Sequence, residues 1–294
     1  MRCPPLLAIG FAPILLAATV RAETEDAFVV FPDLRHSQAD EICELDLFLP
    51  SSSDQAVPCV MVIQGGGFNA QTGQKFRPFA EELARHGFAA ALLGYRGLSN
   101  HTIRETISDA KTAVRFVREI SKEHGIDPDR IGAMGRSAGA TITLLLATTG
   151  DDPNHPSGDE HQGHSHTLQA AAGIAGVYDF IARYEITEQR ALQNELERRQ
   201  GTNSRWIGAP FESKNSQWLL ASAQHQLDGE TPPLLLIHAR DDETVPWHQS
   251  QNMQAAAINA GVSSQLYMSV FGGHRGPSDT MDRIVEFFNA TLGN

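Results

Sequence analysis

The chain has 294 residues and a formal net charge of −12, with 41% hydrophobic and 20% charged residues, 25 Gly and 15 Pro. This composition excludes a disordered, collagen-like or coiled-coil chain, and the acidic balance makes nucleic acid and anionic membrane surfaces poor partners. A chain of this length buries about three quarters of the surface its unfolded form exposes, so one domain with a sizeable core needs no disulfide or metal staple.

At the N-terminus, Arg2 opens a short basic region, Pro5 to Val20 is almost wholly apolar, and Val20-Arg21-Ala22 places small residues at −3 and −1. The pattern predicts a secretory signal peptide over residues 1–22 and a mature chain over 23–294, destined for the periplasm or the outside. The apolar run is 16 residues long and carries Pro13, short of the roughly 20 residues of a spanning helix, so no membrane association is expected after cleavage. Cys3 lies ahead of the run rather than at its end, which speaks against a lipid anchor. The leader holds two Arg and no acid, so its loss takes the net charge from −12 to −14.

Glu41 to Leu49 alternates apolar and polar residues and predicts a half-exposed strand, whereas Cys59 to Ile63 is a continuous apolar run and predicts a buried one. Phe76 to His86 has helical spacing, and Phe88 to Leu93 is another buried strand. Thr102 to His124 sets Ile103, Ile107, Ala110, Val114, Val117 and Ile120 on one helical face. The alternation continues with a strand from Ile131 to Met134, a helix from Ser137 to about Thr148, and strands at Ala170 to Ile174 and Leu234 to His238, before two more helices and one strand close the chain. Such alternation predicts an α/β fold, a mostly parallel sheet covered by helices on both faces, with functional residues at the carboxyl ends of the strands. Two stretches break the pattern. Asp151 to Thr167 is polar and reads as a loop. Tyr178 to Pro232, with the helical run Glu188 to Arg199 and the aromatics Trp206, Phe211 and Trp218, reads as a small cap inserted over the site.

The chemistry gathers at four of the predicted strand ends. Gly135-Arg136-Ser137-Ala138-Gly139 runs from a strand into a helix, the context in which a sharp turn lifts a nucleophilic Ser137 Oγ clear of the sheet. Acyl transfer needs N–H donors aimed at the oxyanion, and Gly66 and Gly67 of Gln64-Gly65-Gly66-Gly67, with Ala138, are placed to supply them. Two adjacent carboxylates, Asp241 and Asp242, follow the strand at Leu234, and His274 follows the last strand. The order Ser137, Asp242, His274 is that of a catalytic triad in which His274 acts as base and Asp242 fixes its tautomer.

These residues give the chain its resemblance to a family. From about Glu41 to Leu292 it resembles α/β-hydrolase serine esterases, above all the secreted esterase/lipase group that includes carbohydrate acetyl esterases and feruloyl esterases. The resemblance is carried by Gln64-Gly65-Gly66-Gly67-Phe68, Tyr95-Arg96, Gly125-Ile126-Asp127-Pro128-Asp129-Arg130-Ile131, the Ser137 turn, Asp242-Glu243-Thr244-Val245-Pro246 and Gly272-Gly273-His274. It implies an α/β-hydrolase fold with an eight-stranded sheet and a cap over about 178–232. Its Asp-x-x-Val-Pro motif favours Asp242 over Asp241 as the triad acid, with Asp179 a weaker candidate. Where that group usually has His-Gly-Gly-Gly, this chain has Gln64, whose amide can also donate and accept.

Under that fold Cys43 and Cys59 sit on strands separated by a third, about 10 Å apart and beyond the roughly 7 Å reach of a disulfide, so free thiols are expected. Arg136 is a candidate for meeting an anionic substrate group, with a structural ion pair as the alternative. Trp247, with Trp206 and Trp218, is a candidate for stacking on a sugar, against core packing of at least two of the three. His155, His161, His164 and His166 lie near Asp151, Asp152 and Asp159 without zinc-like spacing on a defined element, so no metal is expected. The expectation is a cofactor-independent serine esterase acting on a small-molecule or polysaccharide ester, with acetyl or feruloyl groups foremost. A serine peptidase of the same fold and a non-catalytic carbohydrate-binding relative are the competing readings.

Overall fold

The computed structural model describes residues 23–293 apart from 25–26, 52–54, 151, 154, 156, 187–188 and 190–200. The predicted signal peptide and most of the helical run at 188–199 therefore lie outside the described residues. Eight strands form one sheet: β2 (Phe28–Arg35), β3 (Glu44–Pro50), β4 (Val57–Ile63), β5 (Ala89–Leu93), β6 (Ile126–Arg136), β7 (Ala170–Ile174), β8 (Leu234–Ala239) and β9 (Ser264–Ser269). A two-residue strand β1 (Glu23–Thr24) adds to the β2 edge. The spatial order is β1-β2-β3-β5-β4-β6-β7-β8-β9; β2, β3 and β5 pair antiparallel, and every pair from β5 to β9 is parallel.

Helices cover both faces because the strand residues alternate between two cores. On one face α1 (Arg77–Arg85) and α8 (Thr280–Leu292) pack Leu83, Phe287 and Phe288 against Phe48, Val60, Val62, Leu92 and Met134. The other face holds α2 (Ile103–Ile120), α3 (Ala138–Thr149) and α7 (His248–Asn259) over Leu45, Met61, Ile63, Ala133 and Leu236. All twelve residues of α3 are buried. Its threonines pay no desolvation penalty, since Thr143, Thr148 and Thr149 hydroxyls donate to the carbonyls four residues back.

The predicted strands and helices stand within a few residues of their expected ends, with two differences. The strand at 41–49 is not half-exposed: Leu45, Asp46, Leu47 and Phe48 are all buried. It lies inside the sheet between β2 and β5, so its polar-side position is covered too, and Asp46 survives there by accepting from Asp33 N (3.0 Å) and Gln74 Nε2 (2.8 Å). The strand expected at 131–134 runs over Ile126–Arg136, because Val57 and Cys59 pair with Ile126 and Ile131 and the intervening residues bulge. Cys43 and Cys59 are free and buried; Cys59 lies on β4, Cys43 stands just ahead of β3 rather than on it, and β5 lies between those two strands as expected.

Between β7 and β8 the described residues include α4 (Phe180–Glu185), α5 (Thr202–Ile207) and α6 (Ser216–Leu220). Trp206 and Trp218 are fully buried there. Trp206 Nε1 donates to Thr106 Oγ1 (3.1 Å) and Trp218 Nε1 to Pro210 O (2.9 Å), so both are packing residues rather than exposed platforms.

Candidate active site

Ser137 sits between β6 and α3 with φ 58° and ψ −126°, a strained conformation for a residue with a side chain. The sequence permits it because the neighbouring backbone comes very close. A Cβ on Gly139 would lie 2.1 Å from Ile63 O, and one on Gly65 would lie 2.1 Å from Arg136 O. The second contact seats the loop after β4 directly against the nucleophile turn. The amino end of the twelve-residue α3 adds its partial positive charge at the same point.

That loop is braced by the side chain that departs from the family pattern. The Gln64 amide donates to Gln71 Oε1 and accepts from Lys75 N (2.8 Å), while Tyr95 OH donates to Gln64 O (2.6 Å). Asn69 Nδ2 donates to Gly66 O (2.9 Å), and Phe68, itself at φ 64°, stacks on Trp206 at 4.0 Å. Gln64 thus supports the loop with both ends of its amide. Among the described residues the N–H groups of Gly66, Gly67 and Ala138 have no hydrogen-bond acceptor, three donors left available at one place.

The candidate acid and the candidate base meet. His274 Nδ1 lies 2.8 Å from Asp242 Oδ2, and Asp242 is 2% exposed. Asp242 Oδ1 accepts from Thr244 N (2.8 Å) and Val245 N (3.0 Å), the turn that the Asp-x-x-Val-Pro spacing builds. Burial pushes the Asp242 carboxyl up, but hydrogen bonds from His238 and His274, the charge of His274 and the Val245 N–H outweigh it and hold the group well below the usual carboxylate range. Asp241 has a separate task. It accepts from Gly272 N (3.3 Å) and Gly273 N (2.7 Å) and so ties down the turn that carries His274. Asp179 caps α4, accepting from Ile181 N and Ala182 N at 2.9 Å, and the imidazole on its other oxygen is His225 (3.4 Å) while His274 is held by Asp242.

His238 was not singled out by sequence, and it is the second imidazole on the Asp242 carboxylate. Its Nε2 lies 3.1 Å from both Asp242 Oδ2 and Val245 O. A carbonyl only accepts, so Nε2 carries the proton and Nδ1 accepts from Ser250 Oγ at 2.7 Å. The available signal was a histidine four residues before an aspartate at a strand end.

The remaining candidates fall out differently. Ser137 Oγ has no hydrogen bond among the described residues, so its link to His274 is not closed here, a common state of such sites without substrate. Arg136 forms no ion pair among the described residues; its guanidinium lies 4.9 Å from the Phe76 ring centre. Trp247 is engaged by Arg240 at 4.6 Å and by the His248 ring at 3.8 Å. The loop histidines disperse rather than converge: His155 pairs with Asp152, His161 with Glu119 and His166 with Gly150 O. Among the described residues no group of three or more His, Cys, Asp or Glu could hold a metal ion.

A family model described as BD-FAE matches residues 45–257. Among curated proteins, a probable carboxylic ester hydrolase of Mycobacterium tuberculosis is 29% identical over 74% of this chain and 49% of its own length. The chain spans about half the length of the curated relatives it matches. Among solved structures, an acetyl ester-xyloside bifunctional hydrolase from Caldicellulosiruptor lactoaceticus aligns with TM-score 0.71 and 25% identity over 88% of this chain and 95% of that one. A truncated carbohydrate esterase from gut microbiota aligns with TM-score 0.80 and 21% identity over 93% of this chain and 100% of that one, a likeness that speaks to the α/β-hydrolase fold.

Proposed function

The chain belongs to the BD-FAE family, and from that premise we propose that it is an exported serine carboxylic-ester hydrolase that removes short acyl groups, acetyl or feruloyl, from polysaccharide. The observation that carries the reading is the His274–Asp242 pair at 2.8 Å, which follows β9 and β8 of the same sheet whose β6 leads into the strained Ser137 turn and whose β4 leads into a loop with N–H groups that have no acceptor among the described residues. In this reading Ser137 Oγ attacks the acyl carbon while its proton passes to His274 Nε2, opposite the nitrogen held by Asp242. The carbonyl oxygen, now negative, takes the N–H groups of Gly66, Gly67 and Ala138. Collapse expels the alcohol, whose oxygen receives the proton from His274, and leaves an acyl-Ser137 ester. Water gives a proton to His274 as it attacks the acyl carbon, the C–Oγ bond breaks to release the carboxylic acid, and His274 returns the proton to Ser137 Oγ.

No cofactor enters any of these steps. His238 is a positioning residue, keeping Asp242 Oδ2 aimed at His274. The insert between β7 and β8 acts as the cap, since Trp206 stacks on Phe68 of the loop that presents Gly66 and Gly67. The carbohydrate substrate is supported by the named activity of the Caldicellulosiruptor structure, and export by the apolar leader at 1–22.

Rates on p-nitrophenyl esters from acetyl to octanoyl, on a feruloyl ester and on acetylated xylan test the reading, with Ser137→Ala as the blank. The expected result is turnover that needs Ser137 and falls with acyl length. Absence of ester turnover above the blank, or amide cleavage in oligopeptides at comparable rates, contradicts it.

A further inference from the structure

The nucleophile and the base are each followed or preceded by an arginine: Arg136 comes immediately before Ser137, and Arg275 immediately after His274. The other described arginines that are at least half-buried all have partners, as Arg96 does in Asp109 (2.6 Å) and Arg130 in Asp127 (2.7 Å), while Arg77 pairs with Glu81 and Arg115, Arg118 and Arg183 donate to backbone carbonyls. Arg136 is the exception. Its guanidinium rests at 4.9 Å and 5.9 Å from the Phe76 and Phe79 ring centres, which orient it without offering an acceptor. Among the described residues it has neither a hydrogen bond nor a carboxylate, and its nitrogens are not among the sealed, unpaired polar atoms, so they open toward solvent. Arg275 is exposed and likewise has no carboxylate among the described residues.

In a chain with 35 acidic against 23 basic side chains, two cations beside the candidate site without a counter-charge among the described residues call for a reason. Burial first, and then the charge of Arg275, push the Arg136 guanidinium below its ordinary value. The two turns that fix Ser137 and His274 also fix these side chains. Each is next in sequence to a residue that the reading above gives to the reaction.

Resting on the esterase reading above, we propose that Arg136 and Arg275 form an anion-binding subsite and that the physiological ester carries a carboxylate or sulfate group close to the bond that is cut. A planar guanidinium held by two aromatic rings is pre-oriented for a two-point contact with such a group. The chemistry suits an acyl group on an acidic polysaccharide, one bearing uronic acids or sulfate esters, over a neutral one.

The test uses matched pairs of esters, each rate normalised to its hydroxide-catalysed rate. 4-Nitrophenyl hydrogen succinate against 4-nitrophenyl butyrate places the charge on the acyl side. 4-Acetoxybenzoate against 4-acetoxybenzamide, and 4-acetoxybenzenesulfonate against its sulfonamide, place a carboxylate or a sulfate-like group on the alcohol side. At least one pair is expected to favour the anionic member in kcat/KM. Arg136→Gln should then cut that ratio by about 10- to 100-fold, the loss of one charge-assisted hydrogen bond, Arg275→Gln should cut it less, and Arg136→Lys should retain part of it. Arg275 is exposed, so its variant decides the matter even where Arg136→Gln folds poorly. Ratios of one or below in all three pairs, or ratios that neither glutamine variant changes, overturn the subsite. If Ser137→Ala still abolishes turnover of the neutral esters, only the subsite fails; if it does not, the esterase reading fails with it.

Discussion

Asp242 accepts four hydrogen bonds, two from backbone and two from imidazoles, and this saturation is what a buried carboxylate needs to stay ionised. Asp242→Asn removes the charge and reverses the tautomer demanded of His274, so kcat is expected to fall by about 10³- to 10⁴-fold with little change in fold, read by steady-state kinetics and circular dichroism. The depressed carboxyl also couples folding to pH. Its stabilisation is present above the unfolded aspartate value of about 4 and is lost as pH falls below it toward the lower folded value. Urea midpoints measured from pH 7 down to pH 3 should therefore drop chiefly below about pH 4, and the drop should shrink in Asp242→Asn. Removal of His238 leaves Ser250, Val245 O and Asp242 Oδ2 each short of a partner in a sealed site. His238→Ala should cost about 1–3 kcal/mol per group left unpaired, visible in urea unfolding.

At the scale of elements, the proposed catalysis depends on how closely the loop after β4 sits on the turn after β6. The Gly65 contact with Arg136 O admits no side chain, so Gly65→Ala must lift Gly66 and Gly67 away from the oxyanion; the loss of one such donor is worth about 3 kcal/mol, or about 10²-fold in kcat. A second dependence runs through Asp241, which holds Gly272 and Gly273. Asp241→Ala is expected to lower kcat by about 10- to 100-fold through a looser His274 turn, with KM nearly unchanged. Much of this frame was legible in the sequence, because buried parallel strands announce themselves as apolar runs and the triad residues fall at their ends. The strand at Glu44–Pro50 reads as half-exposed because Asp46, two residues after Glu44, mimics the alternation of an exposed face while two donors satisfy it inside. His238 was missed for a related reason: within the apolar run Leu234–Ala239 its partners come from Asp242, Val245 and Ser250, which only the turn brings round. The role of Gln64 could be anticipated from its amide chemistry, but not its partners Gln71 and Lys75.

Across the whole molecule, one sheet with a core on each face supplies the rigidity, and neither cysteine contributes a staple. Burial pushes the thiols of Cys43 and Cys59 up to about 12, so both should react with a thiol reagent only after denaturation, and reduction should leave the unfolding midpoint where it was. The central claim is that Ser137 becomes covalently acylated, and the most direct measurement is intact-mass and peptide mapping after treatment with an aryl phosphonate ester that mimics the tetrahedral intermediate. A single adduct on the peptide containing Ser137, formed at the rate at which esterase activity is lost and absent in Ser137→Ala, is the predicted result. Full ester turnover persisting without an adduct, or an adduct confined to another residue, would contradict the account.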